Sequence, residues 1–266
     1  MNVSATATLN FERIGLDRAR ELIANGNTLL LDVRDARSFA AAHIASALHI
    51  TRDNLDRVIL GTPRHTPVLI YCYHGNASQS YAQMFGDFGF REVYSMDGGY
   101  EAWRQATAHA RIQTLQSLQP WLTRHGFDTQ EVNSTVGHYM TPLMHASREG
   151  DHAVVTALLE IGADVRARNA DGNTALWHAC LAGDPAIIEL LVNAGADIDH
   201  RNDYGVTCLM CAVLRRKASV VQQLLIAGAS VAPRTRDGQS LLDLGTSVEC
   251  GDLLRAALSQ MQQGLS

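Results

Sequence analysis

One stretch combines residue types that do chemistry at a spacing that would let them do it. Cys72-Tyr73-His74-Gly75-Asn76-Ala77-Ser78 follows the apolar run Pro67-Val-Leu-Ile-Tyr71 and precedes a helical pattern over 79–88. A strand, a short glycine-containing loop and a helix start bring backbone N–H groups toward one point, and the helix N-terminus adds roughly half a positive charge. Both effects favour a thiolate over a thiol. Cys72 is therefore predicted to have a depressed pKa and to be nucleophilic near neutral pH.

Other constellations carry less. Six positions after Cys72 stands Ser78, whereas a cysteine phosphatase needs an arginine there to grip the transferring phosphoryl group. Cys208-Leu-Met-Cys211 has redox-pair spacing but lacks the preceding strand of a thioredoxin-like unit, so chance placement is the reading. His145, His178 and Cys211 fall at equivalent positions of a repeat and would stack in a column. Stacked helices pack ~8–10 Å apart while zinc ligands lie ~2 Å from the ion, so that column is not read as a metal site. Asn133-Ser-Thr135 matches a glycosylation sequon, irrelevant to the cytoplasmic chain expected here.

Composition narrows the classes. The 266 residues carry a net charge of -5, and 46% are hydrophobic against 18% charged, enough apolar material for packed cores. Of 22 basic residues only Lys217 is a lysine, and no cationic cluster of the size a nucleic-acid footprint needs is present. No apolar run approaches the ~18 residues of a membrane span. The start of the chain lacks the charged and apolar regions of a secretory signal, and the five cysteines (72, 180, 208, 211 and 250) do not read as a disulfide framework. A cytoplasmic protein is expected.

The elements that must position Cys72 come from residues 11–104, where short apolar runs alternate with helical ones, the pattern of a parallel sheet covered on both faces. Strands are predicted over 28–33 and 67–71, with a shorter one near 92–95. Leu31-Asp32-Val33-Arg34 with Phe39 and Ala42-His43-Ile44, the loop 72–78, and Met96-Asp97-Gly98-Gly99-Tyr100-Glu101-Ala102-Trp103 together resemble a single-domain rhodanese over residues 11–105. The loop is similar to the six-residue sulfur-transfer form, not the seven-residue phosphatase form. The resemblance implies an active-site cysteine that becomes a persulfide, a position that Cys72 matches. It also implies a cradle of amides from Tyr73, His74, Gly75, Asn76, Ala77 and Ser78. It assigns structural roles to Asp32, Arg34 and His43, and makes Gly98, Gly99 and Trp103 a turn and a core anchor. Ala77 replaces a frequent hydroxyl residue and Gln79 a lysine, which points to a weaker hold on thiosulfate and to another sulfur donor.

The second half repeats every 33 residues. Thr141-Pro-Leu-Met-His-Ala146 aligns with Thr174-Ala-Leu-Trp-His-Ala179 and Thr207-Cys-Leu-Met-Cys-Ala212. The Leu-Leu or Leu-Val pairs at 158, 191 and 224 each precede a glycine, Gly162, Gly195 or Gly228. Asp171-Gly172, Tyr204-Gly205 and Asp237-Gly238 supply turns, Thr is an N-cap, and Pro142 sits where a missing N–H costs little. Val154, Val155, Leu158 and Leu159 form the buried stripe of a second helix, ended by a left-handed glycine. Period and Thr-Pro-Leu pattern resemble the ankyrin repeat, with a degraded fourth copy as cap. In the third copy Arg216 replaces the turn glycine of the others, at about 1 kcal/mol if the turn stays left-handed. Arg215-Arg216-Lys217 is read as a solvated charge cluster.

The domain expectation is a rhodanese-like α/β domain over 1–107 and a linker helix with a capping half-repeat over 108–136 that couples the halves rigidly. Ankyrin repeats follow over 137–169, 170–202 and 203–235, with a cap over 236–266. The functional expectation is a sulfurtransferase moving a sulfane sulfur from thiosulfate or a persulfide to cyanide or a thiol, without metal or organic cofactor. A protein partner binds the repeats, with His145, His178, Arg215 and Lys217 as candidate contacts. The alternatives are a catalytically weak interaction protein and a reductase dependent on Cys208 or Cys211.

Overall fold

The computed structural model describes residues 10–234, 238–244 and 247–263, side chains of the last three excepted. The chain forms two compact units, Met1–Ala110 and Arg111–Ser266.

In the first unit strands and helices alternate: β1 (Glu12–Ile14), α1 (Leu16–Ala24), β2 (Leu29–Asp32), α2 (Ala36–Ala41), β3 (Leu48–His49), α3 (Leu55–Gly61), β4 (Val68–Tyr71), α4 (Ala77–Asp87) and β5 (Val93–Met96). The strands make one parallel sheet in the order β1-β5-β4-β2-β3, so β4 is central. Strand period sorts its side chains: Leu69 and Tyr71 join Leu30, Tyr94 and Met96 on one face, while Val68 and Ile70 join Leu31, Val93 and Phe85 on the other. A strand buried on both faces must be apolar throughout, which is why β4 reads Val-Leu-Ile-Tyr. At the carboxyl end of that central strand the chain delivers Cys72. The longer strand ranges expected from sequence survive as ladder bonds, Leu29 N–H to the Pro67 carbonyl and Val33 N–H to that of Tyr71.

Helix α5 (Gly99–Arg124) starts at the Gly98-Gly99 turn and continues into the segment expected to hold a linker helix, ending at Arg124. It closes as the later repeats do. Gly126 is left-handed and Phe127 N–H bonds the Leu122 carbonyl at 2.9 Å, the closure that recurs at Ala163 to Leu158, Ala196 to Leu191 and Ala229 to Leu224.

Three helix pairs follow: α6 (Pro142–Glu149) with α7 (His152–Glu160), α8 (Ala175–Ala182) with α9 (Pro185–Asn193), and α10 (Cys208–Leu214) with α11 (Ala218–Ile226). Thr141 and Thr207 accept the N–H of Met144 and Met210, as N-caps do. Thr174 makes no such bond; at this position the buried hydroxyl does not cap. Leu143, Leu158, Leu176, Leu191, Leu209 and Leu224 build one continuous core. Leu159 sits at its margin, half-buried, because it lies one residue beyond the stripe facing the neighbouring helices. The fourth copy is a short 3-10 turn, Leu241–Leu244, and then α12 (Val248–Gln263). Asp237, expected in its turn, lies outside the described residues.

Two expectations for the repeat surface are corrected. His178 is buried, with both ring nitrogens lacking hydrogen-bond partners, because its position on α8 faces the interior of the repeats. Lys217 is not part of a solvated cluster: its Nζ donates to the Leu181 carbonyl at 2.5 Å, satisfying the end of α8 in the preceding repeat. Arg215 and Arg216 are exposed.

Candidate active site

The Cys72 side chain is 4% exposed and its sulfur sits inside the loop that follows. Gly75 N–H donates to Sγ at 3.2 Å, and the Ser78 hydroxyl lies 3.5 Å away. Ser95, on β5, donates its hydroxyl to Ser78 Oγ at 2.9 Å, so the Ser78 hydrogen is free to point at the sulfur. Burial pushes the thiol up. The Ser78 hydroxyl and the amides of Ser78, His74 and Gly75 outweigh it, and the Cys72 pKa lies below the ordinary thiol value. The result is a buried thiol whose ionised form is favoured by hydrogen bonds.

The loop is held open for those amides by contacts on every side. Gly75 has φ +84, and a Cβ there would lie 2.8 Å from the Met96 carbonyl and 2.9 Å from the Gly98 nitrogen, so only glycine fits. Gly99 plays the same part from outside: a Cβ would fall 2.4 Å from the Cys72 carbonyl. That close approach lets the first turn of α5 bind the loop, with Tyr100 N–H to the Cys72 carbonyl at 2.8 Å and Glu101 N–H to that of Tyr73 at 3.1 Å. Gln79 donates its amide to the Gly75 carbonyl at 2.8 Å, so it braces the loop.

Asp32 and Arg34 form a buried pair at 2.6 Å, and Arg34 also donates to the Ala42 carbonyl. Its guanidinium lies 3.8 Å from the centre of the Tyr100 ring, the residue whose amide holds the Cys72 carbonyl. His43 Nδ1 bonds the Phe39 carbonyl at 2.9 Å and its ring stacks on Phe39. Trp103 is half-buried beside the sheet core. The structure thus brings Cys72, His74, Gly75 and Ser78 together at the sulfur. Tyr73 turns away, and its hydroxyl meets Asp35 and Ser38 at the start of α2. The Tyr73 hydroxyl, followed by the Ser38 amide, holds the Asp35 carboxyl well below the usual range. Asn76 and Ala77 are exposed at the rim.

Sequence reasoning missed Ser95, Tyr100 and the Asp35–Tyr73 contact. Ser95 had one available signal, a polar residue in the otherwise apolar strand Val-Tyr-Ser-Met. The four remaining cysteines are all buried. Cys180 is raised well above a normal thiol by its hydrogen bond with Cys208 and by burial, and burial lifts Cys211 to about 11. Among the described residues one other cluster, His125, His145 and Glu149, has metal-ligating types close together.

Comparison with known proteins follows this division. Residues 16–106 match the family described as rhodanese-like domain, and residues 106–202 and 143–235 match ankyrin repeats (3 copies). Thiosulfate sulfurtransferase GlpE of Tolumonas auensis is 44% identical over 94 residues, 35% of this chain and 89% of that protein. The GlpE proteins of Ectopseudomonas mendocina and Pseudomonas putida are each 44% identical over 94 residues, 85% and 86% of their lengths.

Proposed function

Because the chain belongs to the rhodanese family through residues 16–106 and carries ankyrin repeats after that domain, we propose that it is a sulfurtransferase working through a persulfide on Cys72. The Cys72 thiolate attacks the outer sulfur of thiosulfate or of a donor persulfide. A sulfur–sulfur bond forms to Cys72 as the donor's breaks, and the electron pair leaves with sulfite or with the donor thiolate. Cyanide or an acceptor thiolate then attacks the outer sulfur of the Cys72 persulfide, and Cys72 departs again as thiolate. Oxidation states balance over the cycle, and neither step calls on a metal or organic cofactor. The supporting observation is the Gly75 amide at 3.2 Å from Sγ together with the Ser78 hydroxyl, donors already aimed where negative charge resides.

Mass spectrometry of the intact chain after incubation with thiosulfate tests the reading. We expect an adduct of about 32 Da, one sulfur on the thiol oxidation ladder, absent from Cys72→Ser. An unmodified wild type with every sulfane donor, or an adduct that survives Cys72→Ser, overturns it.

The repeats would bind a protein partner. Support comes from Tyr139 and Tyr204, 67% and 61% exposed at turns about two repeats apart, aromatic side chains of the kind that anchor interfaces, and from exposed Arg215 and Arg216. Five free cysteines fit a reducing compartment, and among the described residues no helix is long and apolar enough to cross a membrane.

A further inference from the structure

The column His145, His178 and Cys211 forms no ligand set, since His178 and Cys211 are buried in the repeat core. His145 meets other residues. His125, just past α5, and His145 and Glu149 on α6 each present one ring nitrogen or carboxylate oxygen, all within 4.8 Å of one another. Glu149 Oε2 is 3.3 Å from His125 Nε2, and its Oε1 is 3.4 Å from His145 Nδ1. Ligands about 2.0–2.1 Å from one tetrahedral ion are roughly 3.3–3.4 Å apart, so each imidazole already lies at that spacing from one of the two Glu149 oxygens, and a small rotation of the carboxylate presents a single oxygen to both.

Two independent observations aim these groups inward. His125 Nδ1 donates to the Trp121 carbonyl at 2.8 Å, which fixes the tautomer and leaves Nε2 as a lone pair facing the cluster, the outer contact that metal-bound histidines make. His145 Nδ1 is buried and has no hydrogen-bond partner, an unmet requirement that an ion would satisfy. The walls are aromatic: the Trp121 ring lies tilted against the His125 ring with centroids 4.2 Å apart, and Phe127 meets His145 edge-on at 5.8 Å. Two imidazoles and one carboxylate are a borderline donor set that suits zinc over magnesium or calcium.

We propose that His125, His145 and Glu149 bind a zinc-class divalent ion, with water in the fourth position. The ion clips the capping half-repeat, which supplies His125, to the first full repeat, which supplies the other two. Arg148 lies 2.9 Å from His145 Nε2. With the ion on Nδ1, Nε2 carries the proton and no longer accepts that bond, so the exposed arginine swings into solvent. This site is independent of the sulfur chemistry at Cys72.

The test uses the full chain carrying Cys72→Ser, which removes the reactive thiol as a competing ligand. Zinc is titrated against a chromophoric chelator, thermal unfolding is followed with and without zinc, and cobalt replaces zinc for spectroscopy. One equivalent should bind, raise the melting temperature and give the visible bands of four-coordinate cobalt without thiolate charge transfer. His145→Gln and Glu149→Gln should each weaken zinc by more than the roughly ten-fold that even outer contacts are worth, and abolish the stabilisation. If His145→Gln fails to fold, Glu149→Gln decides, since that side chain is 39% exposed. Absence of binding, unchanged affinity in Glu149→Gln, or a thiolate signature in the cobalt spectrum overturns the proposal.

Discussion

Cys72 illustrates how one atom's environment is assembled from several places in the chain. The loop supplies the Gly75 amide at 3.2 Å, α4 begins with the Ser78 hydroxyl beside it, and β5 adds Ser95 to orient that hydroxyl. A hydrogen bond to a charged group is worth about 1.5–3 kcal/mol, and one pKa unit is about 1.4 kcal/mol. Ser78→Ala should therefore raise the apparent Cys72 pKa by roughly one unit, since the amides remain. The check is the iodoacetamide alkylation rate against pH: the midpoint moves up in Ser78→Ala, and below it the rate falls. A wild-type midpoint already at the free-thiol value would favour an interaction protein over an enzyme. The serine's place in the loop was legible as the residue standing where a phosphatase needs arginine. Its hydroxyl relay was not, because Ser95 is seventeen residues away on a neighbouring strand.

Helices and turns of the repeat array follow local rules closely enough for their departures to be measurable. Arg216 keeps the left-handed conformation of the glycine it replaces, with φ +55 against +77 at Gly150 and +86 at Gly183. Its side chain is exposed, so Arg216→Gly should stabilise the array by about 1 kcal/mol, read as a higher melting temperature or denaturant midpoint. Lys217 beside it is a poor choice for substitution, because it holds the Leu181 carbonyl. The Cys208/Cys211 pair starts α10 and is buried, with Cys211 lifted to about 11. Cys208→Ala and Cys211→Ala should leave sulfur transfer through Cys72 unchanged in rate. A loss of turnover with the Cys72 adduct intact would instead favour the reductase reading.

Acid sensitivity is a property of the folded chain as a whole and reports on one buried group. His178 has no hydrogen-bond partner at either ring nitrogen. Burial, then Arg148 and His145, push its pKa down to about 4, with Asp171 opposing them. The unfolded chain binds the proton near the ordinary histidine value of about 6.5, so the contribution of neutral His178 is complete above that pH and is lost as pH falls toward 4. The loss amounts to about 3 kcal/mol. In chelator-treated protein, unfolding of the repeats should steepen in this window for wild type and less for His178→Leu. That variant should also match or exceed wild-type stability at neutral pH, since a buried unpartnered polar ring gives way to an apolar side chain. Identical acid limbs for the two proteins would contradict this. Much was legible without coordinates: the 33-residue period, the strand–loop–helix around Cys72 and the turn at Gly98-Gly99 all depend on neighbours in sequence or on a fixed repeat offset. Side-chain partnerships at no fixed offset were not, and these decide the chemistry: Ser95 behind Ser78, Arg34 over Tyr100, His125 meeting His145 and Glu149, and the burial of His178. Local backbone preference sets the elements; which side chains face each other depends on packing between elements, which no spacing rule along the chain contains.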